Sequence, residues 1–263
     1  MGVSEAPQLA TQVGVLARRS IVRTLRRPAS VIPALVFPLF LLAVNSSGLS
    51  GATNLPGFPT SSYLTFALAV PFMQGALFSV MNAGTDLAGD IETGFLNRLA
   101  LTPLRGVALL AGMLAGVMAL GLVQAAAYLL VGLAAGAHFA AGVPGVLVIV
   151  ALSMVMAIGF GSIGLLIALR TGSGEAVQGM FPLFFVFLFL SSMSLPRNLI
   201  QTDWFRQVAT YNPVSYLVEG IRSLLVTGWD GEALALAFGV ATVVAVVGLT
   251  TASMAMRTRL VRT

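Results

Sequence analysis

Few side chains in this chain can do chemistry, and they are clustered. Charged residues make up 9% of the sequence and hydrophobic residues 57%. Yet Asp86, Asp90, Glu92, Arg98 and Arg105 fall close together, around the stretch DIETGFLNRLALTPLRG (90–106), between two long apolar runs. All of the basic residues are arginine, and there is no cysteine. Without lysine the chain cannot build a G-x-x-x-x-G-K-[ST] phosphate loop. Without cysteine it has no disulfide, thiolate metal site or thiol nucleophile.

Two further patterns invite a chemical reading. Gly159, Gly161 and Gly164 in GFGSIG match the glycine spacing of a dinucleotide fingerprint. That fingerprint needs a strand before it and a βαβ unit around it, whereas this one sits inside an apolar run, where glycines let helices approach closely. The one histidine, His138, lies in the turn GAHFAAG with no acid within thirty residues. It reads as a surface-turn residue, neither ligand nor base.

The elements that must position these residues are membrane helices. Mean hydropathy is +0.96, and the apolar runs are continuous. A helix needs ~20 apolar residues to cross a ~30 Å hydrocarbon core, and continuous runs exclude an alternating β-barrel pattern. The sequence predicts an all-α membrane protein with six spans, near 29–46, 63–85, 106–136, 144–169, 177–195 and 233–256. Pro33 and Pro38 interrupt the first. The N-terminal stretch lacks the pattern of a cleavable signal peptide, so the first span is expected to stay as an anchor.

Arginines set the expected orientation. With a cytoplasmic N-terminus, only Arg197, Arg206 and Arg222 lie outside, as the positive-inside rule requires. Both termini and the charged element 86–105 are then cytoplasmic. A net charge of +5 is accounted for by this topology and gives no reason to expect nucleic acid. Before the first span, QLATQVGVLARRSIVRTLRRP reads as an amphipathic interfacial helix with Arg19, Arg23 and Arg26 turned toward lipid phosphate. The larger polar residues of the spans, Asn45, Gln74, Asn82, Gln124 and Gln178, are expected mainly to bond across helices. Gly112/Gly116 and Gly132/Gly136 fit the small-xxx-small packing pattern.

The outer segment 196–232 is too polar for a span and too apolar for an ordinary loop. Val214, Leu217, Val218, Ile221, Leu224 and Leu225 follow helical spacing. Asn212 can cap that helix and Pro213 can open it, while Glu219 and Arg222 are expected to pair at i, i+3. The reading is a pair of short re-entrant helices at the outer face.

These two elements resemble those of the permease subunit of ATP-binding-cassette exporters of the daunorubicin-resistance and polysaccharide-export type. Glu92, Gly94, Leu99 and Pro103 fit that family's E-x-G-x-x-x-x-L-x-x-x-P element after span two. Asn212, Pro213, Tyr216, Glu219, Arg222 and Gly228 fit its Asn-Pro helix. The resemblance covers nearly the whole chain. It implies that 86–105 carries a short coupling helix docked on a separate ATPase subunit. Phe95, Leu96 and Leu99 would be apolar anchors, Glu92 and Arg98 polar contacts, Gly94 a point of close approach and Pro103 the stop. ATP and magnesium would reside on that ATPase, with no cofactor in this chain.

The resemblance further implies a transport subunit, not an enzyme. It would pair with a second permease chain, the same or a paralogue, in a bacterial plasma membrane, to export a hydrophobic drug, an antibiotic or a lipid-linked molecule. Phe181, Phe184, Phe185, Phe187, Phe189 and Met193 are candidates for a substrate wall. An ion-coupled carrier and a structural membrane protein remain the alternatives. The carrier draws no support from ionisable groups at span centres, which an ion path normally needs, and a structural protein would show no substrate-dependent turnover.

Overall fold

The computed structural model describes residues 5–100 and 106–262. In chain order, twelve α-helices are described: α1 (Glu5–Leu25), α2 (Pro28–Gly48), α3 (Tyr63–Ala67), α4 (Ala69–Glu92), α5 (Phe95–Ala100), α6 (Gly106–Ala134), α7 (Gly142–Thr171), α8 (Gly174–Gly179), α9 (Phe181–Phe189), α10 (Asp203–Tyr211), α11 (Pro213–Val226) and α12 (Gly231–Arg262). No strand is found among the described residues.

Five helical segments are long and apolar enough to cross a membrane: Pro28–Gly48, Tyr63–Glu92, Gly106–Ala134, Gly142–Thr171 and Gly231–Arg259. They match the expected first, third, fourth and sixth spans to within three residues, while the second begins as expected and runs seven residues past its expected end at 85. The second combines α3 and α4, broken at Leu68, three residues before Pro71, whose missing amide leaves the carbonyl of Ala67 without its usual donor.

The expected fifth span, 177–195, is not one helix. α8 stops at Gly179 and α9 restarts at Phe181 with a proline in its first turn, then ends at Phe189. Pro182 supplies the reason, because it has no amide for the carbonyl of Gln178. Nine residues of α9 reach only ~14 Å, about half of a ~30 Å core. The amide of Gly174 nevertheless meets Glu92 Oε1 at one end of the Tyr63–Glu92 span. At the other end, Tyr63 donates to the carbonyl of Ser194 at 2.9 Å. Residues 174–194 therefore run the length of that span.

α4 is the centre of the bundle, flanked by α2, α6, α7, α8 and α11, while α12 lies on the far side of α7 and α1 lies along α6. Glycines set these approaches. A Cβ on Gly159 would meet the backbone of Ala245 on α12 at 3.0 Å, and one on Gly161 would meet Val117 on α6 at 3.0 Å. At Gly164 the carbonyl of Val80 on α4 fills the space. The GFGSIG motif thus faces three neighbouring helices, as helix-packing glycines do. Gly112 and Gly116 receive Leu16, Ser20 and Thr24 of α1, and Gly132 receives Leu68.

α2 stays helical through Pro33 and Pro38. Pro38 leaves the carbonyl of Ala34 without its intrahelical donor. Two side chains of α6 replace it: Gln124 Nε2 donates at 3.2 Å and Tyr128 Oη at 2.5 Å. Gln124 is thus a cross-helix bond, and it meets the rule that backbone groups in lipid must find partners within the protein.

Candidate functional site

The charged element resolves into a corner. α4 continues to Glu92, beyond the span end expected at residue 85, and the chain turns at Thr93 and Gly94 into α5. Gly94 has φ +68°, the left-handed conformation in which only glycine is free of a Cβ penalty. The Thr93 amide donates to Gly89 O and the Gly94 amide to Ile91 O, ending α4 on paired carbonyls. A Cβ on Gly94 would meet nothing within 4 Å. Among the described residues no group crowds Gly94, so within this chain the glycine answers the turn's backbone angle.

α5 faces two ways. Leu96 is 2% exposed and belongs to a core with Leu16, Leu87, Leu109 and Leu169, so it anchors the corner to its own chain. Leu99 is partly buried against the same core. The ring of Phe95 lies beneath the Arg19 guanidinium, 3.8 Å from its carbon, a cation–π contact. Glu92 and Arg98 are exposed. Pro103 and Arg105 lie outside the described residues.

The sequence reading did not anticipate what braces this corner. Arg19 Nη2 lies 2.9 Å from Asp90 Oδ1 and Arg23 Nη1 2.6 Å from the same oxygen. Arg23 Nη2 also donates to the backbone carbonyl of Asp86 at 3.2 Å, and Arg27 pairs with the Asp86 carboxylate. Arg19 and Arg23 therefore turn inward to protein carboxylates instead of outward to lipid phosphate. Arg18 and Arg26 are exposed, as is Arg27 despite its bond to Asp86. Arginines at i, i+4, i+8 facing aspartates at j, j+4 were the available signal, since both spacings put side chains on one helix face.

At the opposite end of the bundle the Asn212–Pro213 motif is a knot of hydrogen bonds. Asn212 caps α11 by accepting from the Val214 amide at 2.9 Å, and its Nδ2 donates to the carbonyls of Phe187 and Leu190 at the end of α9. Pro213 stands in the first turn. Tyr216 Oη donates to the carbonyl of Thr210 at 2.8 Å.

The expected Glu219–Arg222 bridge does not form. Glu219 is gripped by Arg197, with Nε at 2.7 Å and Nη2 at 2.6 Å, and accepts from Ser192 Oγ. Arg222 points inward, 6% exposed. It donates to the carbonyls of Phe66, Ser192 and Met193 at 3.1, 2.9 and 2.8 Å, with its carbon 3.6 Å over the Phe66 ring. Burial lowers its pKa to about 10, so it stays charged near neutrality. The fork-shaped guanidinium collects carbonyls that the broken backbone after α9 leaves free, a task a helix partner at i−3 cannot replace.

The candidate substrate wall divides. Phe181, Phe185 and Phe189 form one stripe, with ring centroids 4.7 and 6.1 Å apart. Phe78 of α4 joins it at 5.4 Å and Phe37 of α2 at 5.8 Å. Phe184 packs on the core and Met193 is buried in it, whereas Phe187 is exposed on another side. Gln74, 1% exposed, has both amide atoms without a partner among the described residues. It borders a small cavity shared with Asn45, Tyr63 and Ser194. An unmet buried polar group costs about 1–3 kcal/mol unless water or ligand satisfies it.

The model of the ABC-2 type transporter family matches residues 11–226. Two curated proteins bearing the name transport permease ycf38 are similar. The one from Porphyra purpurea is 25% identical over 227 residues, covering 85% of this chain and 77% of that protein. The one from Cyanophora paradoxa is 26% identical over 212 residues, covering 80% and 72%.

Proposed function

Because this chain belongs to the ABC-2 type transporter family, and is thus a multi-pass membrane permease subunit, we propose that it is the translocating half of an ATP-driven exporter. A separate ATPase subunit supplies ATP hydrolysis and its magnesium, and two permease chains form the path. The cargo is a hydrophobic drug, an antibiotic or a lipid-linked molecule, moved out across a bacterial plasma membrane. Both termini and the α4–α5 corner face the cytoplasm, where the positive-inside rule places Arg18, Arg26 and Arg98. Residues 174–194 make the fifth of six crossings, as a broken helix.

The observation that carries this reading is the corner at Gly94. It stands at the end of α4, the central helix, with Glu92 and Arg98 exposed. Leu96 and the Arg19/Arg23–Asp90 pairs lock it to α1 and the core. A force applied to α5 by a partner therefore passes into α4 and α1 together instead of bending a loop. Outward contacts rest on Glu92, Arg98 and the exposed part of Phe95 and Leu99, with Leu96 as the inner anchor. The Phe181–Phe185–Phe189 stripe with Phe37 and Phe78 is the apolar surface best suited to planar cargo. The motion must favour one cargo-bound state over the other, because only differential affinity couples ligand to conformation.

The test is purification in mild detergent followed by mass spectrometry of what accompanies the chain. A stoichiometric ATPase that is lost on Glu92→Ala with Arg98→Ala is the expected result. A chain that transports alone, driven by a proton or sodium gradient, overturns it.

A further inference from the structure

A cleft of about 420 Å³ opens between α6 and α12 on the outer wall of the bundle. That volume is typical of small-molecule sites. Leu110, Ala111 and Leu114 form one wall, and Leu249, Ser253 and Arg257 stand on the other. α6 leaves the end of the bundle that holds the Arg–Asp pairs, and α12 returns to it, where Arg259 donates to the carbonyl of Leu169 at 2.7 Å. Arg257 therefore sits at the mouth of the cleft nearest that end and Leu249 at its deep end. Eight helical positions separate them, ~12 Å, against ~15 Å for one leaflet of a ~30 Å core.

The polarity is graded along that axis. The deep part is Leu114, Leu249 and Thr250, and the Thr250 hydroxyl is already bonded to the carbonyls of Val246 and Val247 in its own helix. Ser253 and Arg257, one turn apart, carry the polar groups, and neither forms a hydrogen bond or ion pair among the described residues. At this end Arg19, Arg23 and Arg27 are paired with aspartates and Arg259 donates to a carbonyl, while the exposed Arg18 and Arg26 do not line the cleft. A two-fold contact with a second copy centred on this cleft would bring two Arg257 guanidiniums together, which is unfavourable.

We propose that this cleft binds one anionic phospholipid of the adjoining leaflet, with its phosphate on Arg257, an ester oxygen at Ser253 and an acyl chain along Leu110, Leu114 and Leu249. A charge at headgroup depth above a one-leaflet apolar groove is the complement of such a lipid. The site rests on the chain's residence in a bilayer and not on ATP-driven export, so it survives failure of the exporter reading.

The full-length chain is titrated in detergent with phosphatidylglycerol and with phosphatidylcholine of the same acyl chains, and bound lipid is read by native mass spectrometry. One phosphatidylglycerol per chain is expected to bind about five- to tenfold more tightly than phosphatidylcholine, given the contribution of one arginine at an anionic surface. Arg257→Gln removes that preference, Ala111→Phe fills the groove and removes binding of both lipids, and Arg170→Gln, an exposed arginine on α7, changes neither. Retention of the preference in Arg257→Gln, or of the lipid in Ala111→Phe, overturns the site. So does a disulfide between two Met254→Cys chains in the native membrane, which would make the cleft a protein interface.

Discussion

Arg23 Nη1 lies 2.6 Å from Asp90 Oδ1, which joins a helix that precedes the first span to the last turns of the central helix. Asp90 is buried and accepts from Arg19 as well. Asp90→Asn is expected to cost about 2 kcal/mol, as hydrogen bonds to charged groups do. It would appear as a lower thermal midpoint in detergent and as faster proteolysis within α1. Arg18→Gln, on an exposed arginine of the same helix, is the comparison and should change neither. Equal effects of the two variants would remove the brace from the account.

Gly94 carries φ +68°. Gly94→Ala places a Cβ in that conformation and is expected to cost about 1–3 kcal/mol, or to straighten the corner and misplace Glu92 and Arg98. Asn tolerates the left-handed region better than Ala, so Gly94→Asn should retain more ATPase association in a pull-down. Equal retention by both variants would show that the backbone angle is not what the corner needs.

Arg222 donates to three carbonyls from α3 and the turn after α9. Arg222→Met leaves those carbonyls without donors and is expected to destabilise by about 1–3 kcal/mol for each one that water does not reach. Arg222→Lys should not rescue it, because an ammonium cannot reproduce the planar fork. Glu219→Gln, with Arg197 and Ser192 still in reach, should cost less. Thermal unfolding monitored in detergent ranks the three, and a lysine variant as stable as wild type would contradict the carbonyl-collecting role.

The carbonyl of Ala34 takes hydrogen bonds from Gln124 and Tyr128 where Pro38 can give none. Tyr128→Phe alone is expected to cost about 1–2 kcal/mol. In a Pro38→Ala background the helix supplies its own donor, so the same change should cost distinctly less. A double-mutant cycle reads the difference directly. Additive effects would mean that the tyrosine hydroxyl serves something other than the proline gap.

Much of the site was legible in order but not in partnership. The sequence ends the second span at residue 85, whereas α4 runs on to Glu92 before the turn at Gly94; Asn212–Pro213 opens α11 as its cap chemistry requires. What failed was reading charges along one helix. Glu219 and Arg222 have a suitable spacing, yet a broken segment 22 residues away in sequence claims Glu219 through Arg197. The carbonyls of Ser192 and Met193 claim Arg222. The fifth span failed for a related reason. Its hydropathy was sufficient, but Pro182 removes a donor in its middle, and the chain after Leu190 bends to meet Asn212 and Arg222.

By itself the sequence determined the medium and the menu. Long apolar runs must be helices in lipid, because backbone groups there have no water to bond. The absence of lysine excludes a phosphate loop of its own, and glycine-rich helices can pack closely. The tertiary structure alone decided which carboxylate meets which arginine, which carbonyl a proline orphans and which side chain replaces the donor. Those choices join residues as far apart as Arg222 and Phe66, 156 positions in the chain. Local spacing governs what one helix can present, but a buried polar group is satisfied by whatever the fold brings within about 3 Å.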